Sequence, residues 1–207
     1  TYTGMSPTLL GTAVIDVLDA VLADDPEALY VVNPSGRVLE RLTNAAVGSA
    51  NDLPPIRVLG EAEMLKTVLD DFLVASTAAD LIEADVLGLR TLSETVYGST
   101  IVTDTTTVAL VEADDLVGGL ATENEEFVDV TFESAAAEWE RSTPFSLRTP
   151  AITRVYETLE AEIGAEARED FETMLGALET ARGDGEDLDE VTISLLVAAA
   201  NGVLLYD

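Results

Sequence analysis

The spacing of hydrophobic positions in the first half of the chain alternates between a helical and a strand pattern. Apolar residues three and four apart alternate with short apolar runs that end in turn residues, such as Asn33-Pro34-Ser35-Gly36. Ser6-Pro7 is typical of a helix start, with an N-cap followed by proline. The predicted elements are a helix over 7–23, a strand over 28–32, a helix over 36–47, a strand over 56–59 and a helix over 61–84.

Residues 86–120 have a different pattern, in which short β-branched runs alternate with polar turns. This predicts an antiparallel meander, with Asp104-Thr105 as a tight turn. Thr122 and Glu125 have the spacing of a capping box, which predicts a helix from there to about Arg141. The predicted meander strands are 86–92, 96–103, 106–113 and 116–120. We therefore expect an α/β fold, a mixed sheet flanked by helices.

The rest of the chain is predicted to be all helical, after a linker over residues 142–150. Thr149-Pro150 again pairs a cap with a proline at the first helical position. The chain finishes in an apolar run, and we expect this end to lie inside a domain. The alternative is a short terminal strand or helix packed on the core. The predicted helices are 150–163, 165–182 and 188–201.

The charge balance indicates the salt concentration to which the protein is adapted. The chain carries 40 Asp and Glu against 10 Lys and Arg, a formal net charge of −30. Self-repulsion of such a chain weakens at about 1 M salt, where the screening length is about 3 Å. We interpret the charge as adaptation to a halophilic cytoplasm, with an acidic decoy or cation buffer as the alternative. The same screening permits an acidic protein to bind nucleic acid.

Hydropathy bears on location. No apolar run approaches the roughly 18 residues that span a bilayer, and no charged-then-apolar leader begins the chain. We therefore expect a cytoplasmic protein without a membrane partner.

The side-chain inventory argues against an enzyme. The chain has no His, no Cys and Lys66 as its single lysine, which excludes histidine-based triads and thiol nucleophiles. Adjacent carboxylates occur at Asp70-Asp71, Asp114-Asp115 and Glu125-Glu126, but such pairs are expected by chance among 40 acids. We interpret them as solvated surface and expect no catalytic residue, no metal ligand and no cofactor.

A candidate ligand site lies at the exit of the first predicted strand. Asn33, Ser35 and Arg37 occupy the turn that leaves this strand and enters a helix. At such turns α/β sheets bind small anions or polar ligands, because helix amide groups point outward there.

Other polar residues near the predicted sheet extend this candidate site. Arg57 and Arg90 lie on neighbouring predicted strands and can clamp a phosphate or carboxylate. Alternatively, each arginine pairs with one of the many acids. Ser93 and Ser99 can add hydroxyl groups for a sugar.

The order strand, helix, strand, long helix and meander resembles one half of the phospholipase D fold. In active members of that superfamily, a meander strand carries a His and, two residues on, a Lys. Here Tyr97 or its neighbour stands in place of the His, Ser99 about in place of the Lys, and Asp104 near the family's Asp. The resemblance implies a catalytically dead copy, of the kind that sugar-responsive archaeal regulators use to bind an effector.

Across residues 6–207 the chain is also similar to haloarchaeal transcriptional regulators of the TrmB-suppressor type, the TbsP family. The most specific stretches are 145–150 and 180–185, with further matches at 9–12, 69–76, 119–122, 125–128, 188–199 and 204–207. The resemblance implies a DNA-binding regulator of sugar-metabolism genes. It also implies a C-terminal winged helix-turn-helix domain whose first helix is 189–201 and whose recognition helix lies after residue 207.

The expected organisation is a phospholipase-D-like sensor domain over 6–143, a linker and helical hairpin over 144–187, and the first part of a winged helix-turn-helix domain over 188–207. Expected partners are DNA through the C-terminal domain, a sugar or sugar-phosphate effector, and a second copy, since two-fold operators require two-fold proteins. Two alternatives stay open. One is a phosphodiesterase, which the lack of His opposes, and the other is a halophilic adaptor or ligand-binding protein without DNA binding.

Overall fold

The computed structural model describes residues 8–10, 13–23, 25–47, 53–94, 98–114 and 116–182. The chain divides into two units, residues 1–152 and 153–207. The strands of the first unit are β1 (Thr8–Leu10), β2 (Leu29–Val32), β3 (Ile56–Gly60), β4 (Leu87–Thr91), β5 (Ser99–Val102), β6 (Thr107–Ala113), β7 (Leu116–Thr122) and β8 (Thr143–Pro144). Its helices are α1 (Val14–Leu22), α2 (Gly36–Val47), α3 (Ala62–Leu69), α4 (Phe72–Glu83) and α5 (Glu125–Arg141).

The described strands form one mixed sheet in the order β1-β7-β6-β5-β2-β3-β4-β8. Strands β2, β3 and β4 are parallel, whereas the other neighbouring strands are antiparallel. The parallel pairs are joined by helical connections, which parallel strands require because a short turn cannot return the chain to the same end of the sheet. The predicted α/β class, with a mixed sheet between helices, is confirmed.

The predicted meander is wrong in its first strand. β4 pairs in parallel with β3, and β5 pairs with β2, so the antiparallel meander consists of β5, β6 and β7. A β-branched run indicates a strand but does not specify its partner. Here the helices before β4 carry the chain across the sheet and place it beside β3.

The main hydrophobic core lies between one face of the sheet and helices α1 to α4. Leu29 and Val31 of β2 point into it, as do Val58 of β3 and Leu89 of β4. A smaller cluster lies on the opposite face, under α5, and contains Tyr30. The alternation along β2 follows from the two-residue period of a strand.

Two predicted helices differ from the structure. The region predicted as one helix over 7–23 contains β1 followed by α1, while Ser6-Pro7 lies outside the described residues. The predicted helix over 61–84 is broken between α3 and α4. The carboxylate of Asp71 accepts hydrogen bonds from the backbone amides of Leu73 and Val74 at 3.0 and 3.2 Å, which caps α4 and starts a new helix.

The ends of α5 also differ from the prediction. Asn124, and not Thr122, is the N-cap, since its side-chain oxygen accepts from the amide of Phe127 at 3.0 Å. After α5 the predicted linker begins as β8, which pairs with β4, and the Phe145 amide then donates to the Leu89 carbonyl at 2.9 Å. The first part of residues 142–150 is therefore an edge strand of the sheet.

The described part of the second unit is a helical hairpin, α6 (Ile152–Glu162) and α7 (Ala165–Arg182). Gly164 connects the two helices with a φ of +126°, a conformation that favours glycine. The predicted helices over 150–163 and 165–182 are confirmed, while the one predicted over 188–201 lies outside the described residues. Within the described ranges, no helix has both the length and the apolarity needed to cross a bilayer.

Candidate ligand site

The turn after β2 is held to both neighbouring strands. The Asn33 amide donates to the Leu59 carbonyl of β3 at 2.7 Å, and its side-chain Nδ2 donates to the Gly98 carbonyl, next to β5, at 3.4 Å. Asn33 has a φ of +51°, a conformation that Asn adopts more readily than most residues. The turn therefore lies where the parallel and antiparallel parts of the sheet meet.

Helix α2 begins directly after this turn. Ser35 Oγ accepts a hydrogen bond from the Val38 amide at 3.2 Å, so this predicted ligand residue caps the helix. Gly36 permits close packing, because a Cβ there would lie 2.8 Å from Val68 Cγ2. Arg37 is exposed and donates to the backbone carbonyl of Asp114.

Ser99 lies at the start of β5, beside Gly98. Its hydroxyl oxygen is buried and has no hydrogen-bond partner among the described residues. An unpaired buried polar group costs about 1–3 kcal/mol, so such groups are rare and call for an explanation. Ser99 therefore lies next to the strand exit with hydrogen-bonding capacity that no other described residue uses.

Arg57 and Arg90 lie on the opposite face of the sheet from the main core, under α5. The Arg90 guanidinium lies 4.6 Å from the centre of the Trp139 ring and donates to the Trp139 carbonyl. Arg57 lies 5.2 Å from the Tyr30 ring centre and 5.9 Å from that of Trp139, and it donates to the Tyr30 hydroxyl. The two arginines are thus brought together by one tryptophan.

No carboxylate in the described part of the chain forms an ion pair with either arginine, so the alternative drawn from the sequence, in which each pairs with an acid, has no support there. Among the described residues, the ion pairs of the structure involve other cations, such as Lys66 with Glu63 and Arg141 with Glu138. Arg57 and Arg90 are both half-buried. They are held by aromatic rings, by the Tyr30 hydroxyl and by the Trp139 carbonyl, and no described carboxylate compensates their positive charge.

Ser93 is brought to the C-terminal end of α5. Its amide and its hydroxyl both donate to Glu138 Oε1 at 2.8 Å, and Arg141 donates to the other carboxylate oxygen. Burial alone would raise the pKa of Glu138, but the hydrogen bonds from Ser93 and the Arg141 guanidinium outweigh it and hold the pKa below its usual value. This cluster ties the segment after β4 to α5.

The seven predicted residues therefore form two groups. Asn33, Ser35, Arg37 and Ser99 lie around the exit of β2, and Arg57, Arg90 and Ser93 lie under or beside α5. Sequence reasoning missed Glu138 because it is one of 40 acids. Trp139 is the only tryptophan of the chain, and that uniqueness was the available signal for this second group.

Asp104, Asp71 and the Glu125-Glu126 pair belong to neither group. Asp104 is exposed in the turn between β5 and β6, and Tyr97 is outside the described residues. Asp71 caps a helix, as described above, and Glu125 and Glu126 are exposed in the first turn of α5. Within the described residues, no group of three or more acidic side chains is placed to hold a metal ion.

Two family models match consecutive parts of the chain. One describes the N-terminal region of TbsP-like transcriptional regulators and matches residues 6–150, and the other describes their C-terminal HTH domain and matches residues 151–207. The chain belongs to the TbsP-like family of transcriptional regulators. The resemblance stated from the sequence is therefore confirmed. No curated protein matches this TbsP-like chain.

Solved structures similar to the TbsP-like chain include two at low identity. TrmBL2, described as an archaeal chromatin protein that shows a novel mode of DNA binding, is 10% identical, with a TM-score of 0.47 over 70% of this chain and 56% of its own. Nuc, a phospholipase D family member from Salmonella typhimurium, is 11% identical, with a TM-score of 0.44 over 62% of this chain and 89% of its own. The chain thus spans little more than half the length of TrmBL2.

Proposed function

We propose that this TbsP-like chain is a cytoplasmic, DNA-binding regulator of sugar-metabolism genes in a halophilic archaeon. One observation carries the proposal: an N-terminal regulator model and a C-terminal HTH model match consecutive parts of one chain. In a helix-turn-helix protein, one helix lies in the major groove and contacts base edges. The C-terminal domain therefore contacts DNA, and the N-terminal domain is free to bind an effector.

The proposed organisation has a sensor domain over 6–143, a linker and helical hairpin over 144–187, and the helix-turn-helix domain from residue 188. The sensor domain binds and does not catalyse, since the chain has no His to form a covalent phosphohistidine. The protein acts as a homodimer, because a two-fold operator is read by a two-fold protein.

The proposed effector is a sugar or sugar phosphate. A guanidinium has five N–H donors, and the hydrogen bonds of Arg57 to Tyr30 and of Arg90 to Trp139 account for one each. Phosphate oxygens are strong acceptors for the remaining donors. The exit of β2, on the opposite face of the sheet, is a second candidate position for the ligand, and the Ser99 hydroxyl, unpaired among the described residues, supports a polar ligand there.

DNA binding by the protein produced from its full coding sequence tests the proposal. Labelled promoter fragments of sugar-metabolism genes are titrated by fluorescence anisotropy in about 1 M KCl, where charge repulsion is screened. We expect binding tighter than to unrelated DNA, and we expect a hexose phosphate to change that affinity. Equal affinity for promoter and unrelated DNA at every promoter would favour the adaptor alternative.

Ser99→Ala tests the effector site without disturbing the fold. Removing a buried, unpaired hydroxyl should leave stability unchanged or raise it by about 1 kcal/mol. We expect normal DNA binding, together with a weakened response to hexose phosphate if the effector binds at the exit of β2 and an unchanged response if it binds under α5. Ser134→Ala, at an exposed position of α5, is the matched control and should respond like the wild type. A normal response in Ser99→Ala would remove Ser99 from the site.

A further inference from the structure

The sheet is wider than α5, the helix that covers the face opposite the main core. On that face α5 packs on β2, β5 and β6. Thr107 of β6 marks the border, since its hydroxyl lies 2.6 Å from that of Thr131 in α5. Beyond this border, the described residues place no helix over the α5-side face of β7, although α1 packs on the opposite side of that strand.

The exposure of side chains on β6 and β7 agrees with the lack of a covering helix among the described residues. Val111 of β6 is 52% exposed, and Leu116 and Leu120 of β7 are 56% and 42% exposed. The strand register places them on the same face as Thr107, because paired residues in an antiparallel ladder point the same way and alternate residues share a face. We call this surface the open face, and its positions are Ala109, Val111, Ala113, Leu116, Gly118 and Leu120.

The open face contains no charged residue, although the whole chain has a net charge of −30. Helix α5, which packs on the same side of the sheet, also exposes Phe127 and Val130. Contiguous apolar surface of this kind marks an interaction site in a protein that otherwise keeps its surface charged.

We propose that the open face is where two copies of this chain meet. The partner must be uncharged and apolar at the contact, because a charge buried against this patch would find no opposite charge to offset its desolvation. A second copy supplies such a surface, since a two-fold axis places the same patch on both sides of the interface. For two chains of charge −30, contact through an uncharged patch also brings the fewest acids together. The identity of the partner rests in part on the proposed function, which requires a two-fold protein.

Sedimentation equilibrium of the whole protein in a series of KCl concentrations tests this interface. We expect a dimer that tightens between about 0.1 M and 1 M KCl, as the screening length falls from about 10 to 3 Å. Val111→Asp combined with Leu120→Asp should weaken dimerisation by at least about tenfold, because like charges would face each other across the two-fold axis. Val47→Asp is the matched control, since Val47 is 50% exposed but lies on α2, and it should remain dimeric.

Three outcomes would overturn the proposal: a wild-type monomer at every salt concentration, a dimer that the double variant leaves intact, or equal weakening by Val47→Asp. Cross-links that place residues 153–207 of the same chain on the open face would also overturn it. The milder Val111→Ser with Leu120→Ser is the second variant if the aspartates prevent folding. The dimer measurement is independent of DNA binding, so a dimer through this face without promoter binding would refute only the proposed function.

Discussion

The two faces of the sheet use the same strands for different purposes. On the face under α1 to α4, Leu29, Val31 and Val58 are fully buried among other aliphatic side chains. On the other face, Tyr30 and Arg57 alternate with them along the same strands and contact one another under α5. We infer that the first face supplies most of the free energy of folding. Because the second face contributes less to stability, it can carry polar groups.

Truncation of a core leucine should show the largest difference between the two faces in the free energy of unfolding. Leu42 of α2 is 1% exposed in the main core, and Leu42→Ala should lower the free energy of unfolding by about 2–5 kcal/mol. Leu120→Ala, on the open face, should change the unfolding free energy of the monomer by no more than about 0.5 kcal/mol, because only the proposed dimer covers Leu120. Denaturation at high salt, at protein concentrations low enough to keep the chain monomeric, measures both. Comparable losses from the two substitutions would show that the open face is already covered within the monomer.

Gly88 tests how closely α5 packs on the second face. A Cβ at Gly88 would lie 2.7 Å from the Trp139 ring, so Gly88→Ala should cost about 1–3 kcal/mol and displace the ring. Because Trp139 is the only tryptophan, its fluorescence emission reports the displacement directly, as a shift to longer wavelength. Gly176→Ala is the control, because a Cβ there meets nothing within 4 Å, and it should leave the emission unchanged.

Glu138 gives the smallest expected effect, one that depends on pH. Its folded-state pKa is lowered, so its ionised form stabilises the fold above the ordinary value of 4.5, and that stability is lost as the pH falls through the lower, folded-state pKa. Glu138→Gln should cost about 1 kcal/mol at pH 7, since Gln keeps one acceptor for Ser93 but loses the charge that pairs with Arg141. The gap between the unfolding free energies of wild type and variant should narrow below pH 4.5. A gap that is constant with pH would contradict the assigned ionisation.

The first face was predictable from the sequence to a greater extent than the second. The spacing of hydrophobic positions predicted β2, α2 and β3, because these elements all contribute apolar side chains to one continuous core. The break at Asp71 was not predicted, because apolar spacing continues across it and only the cap hydrogen bonds end one helix and start another. The parallel pairing of β4 was missed for a related reason, since strand partners depend on the path of the intervening helices.

The candidate site likewise has a part that was predictable from the sequence and a part that was not. Asn33 and Ser35 were found because a turn between a strand and a helix is a local pattern. The pairing of Arg57 and Arg90 through Trp139 depends on residues up to 82 positions apart in the chain, which no local pattern contains. The high acid content worked against the prediction as well, since it suggested carboxylate partners that neither arginine has among the described residues.

Titration of Trp139 fluorescence with a hexose phosphate tests most directly whether the second face binds an effector. Trp139 contacts both Arg57 and Arg90, so a phosphate bound by these guanidinium groups should change the emission in a saturable way. The uncharged hexose should bind more weakly, and Arg57→Gln should weaken the response to the phosphate. Emission that does not change at any concentration of hexose phosphate, while promoter binding still responds to it, would place the effector elsewhere.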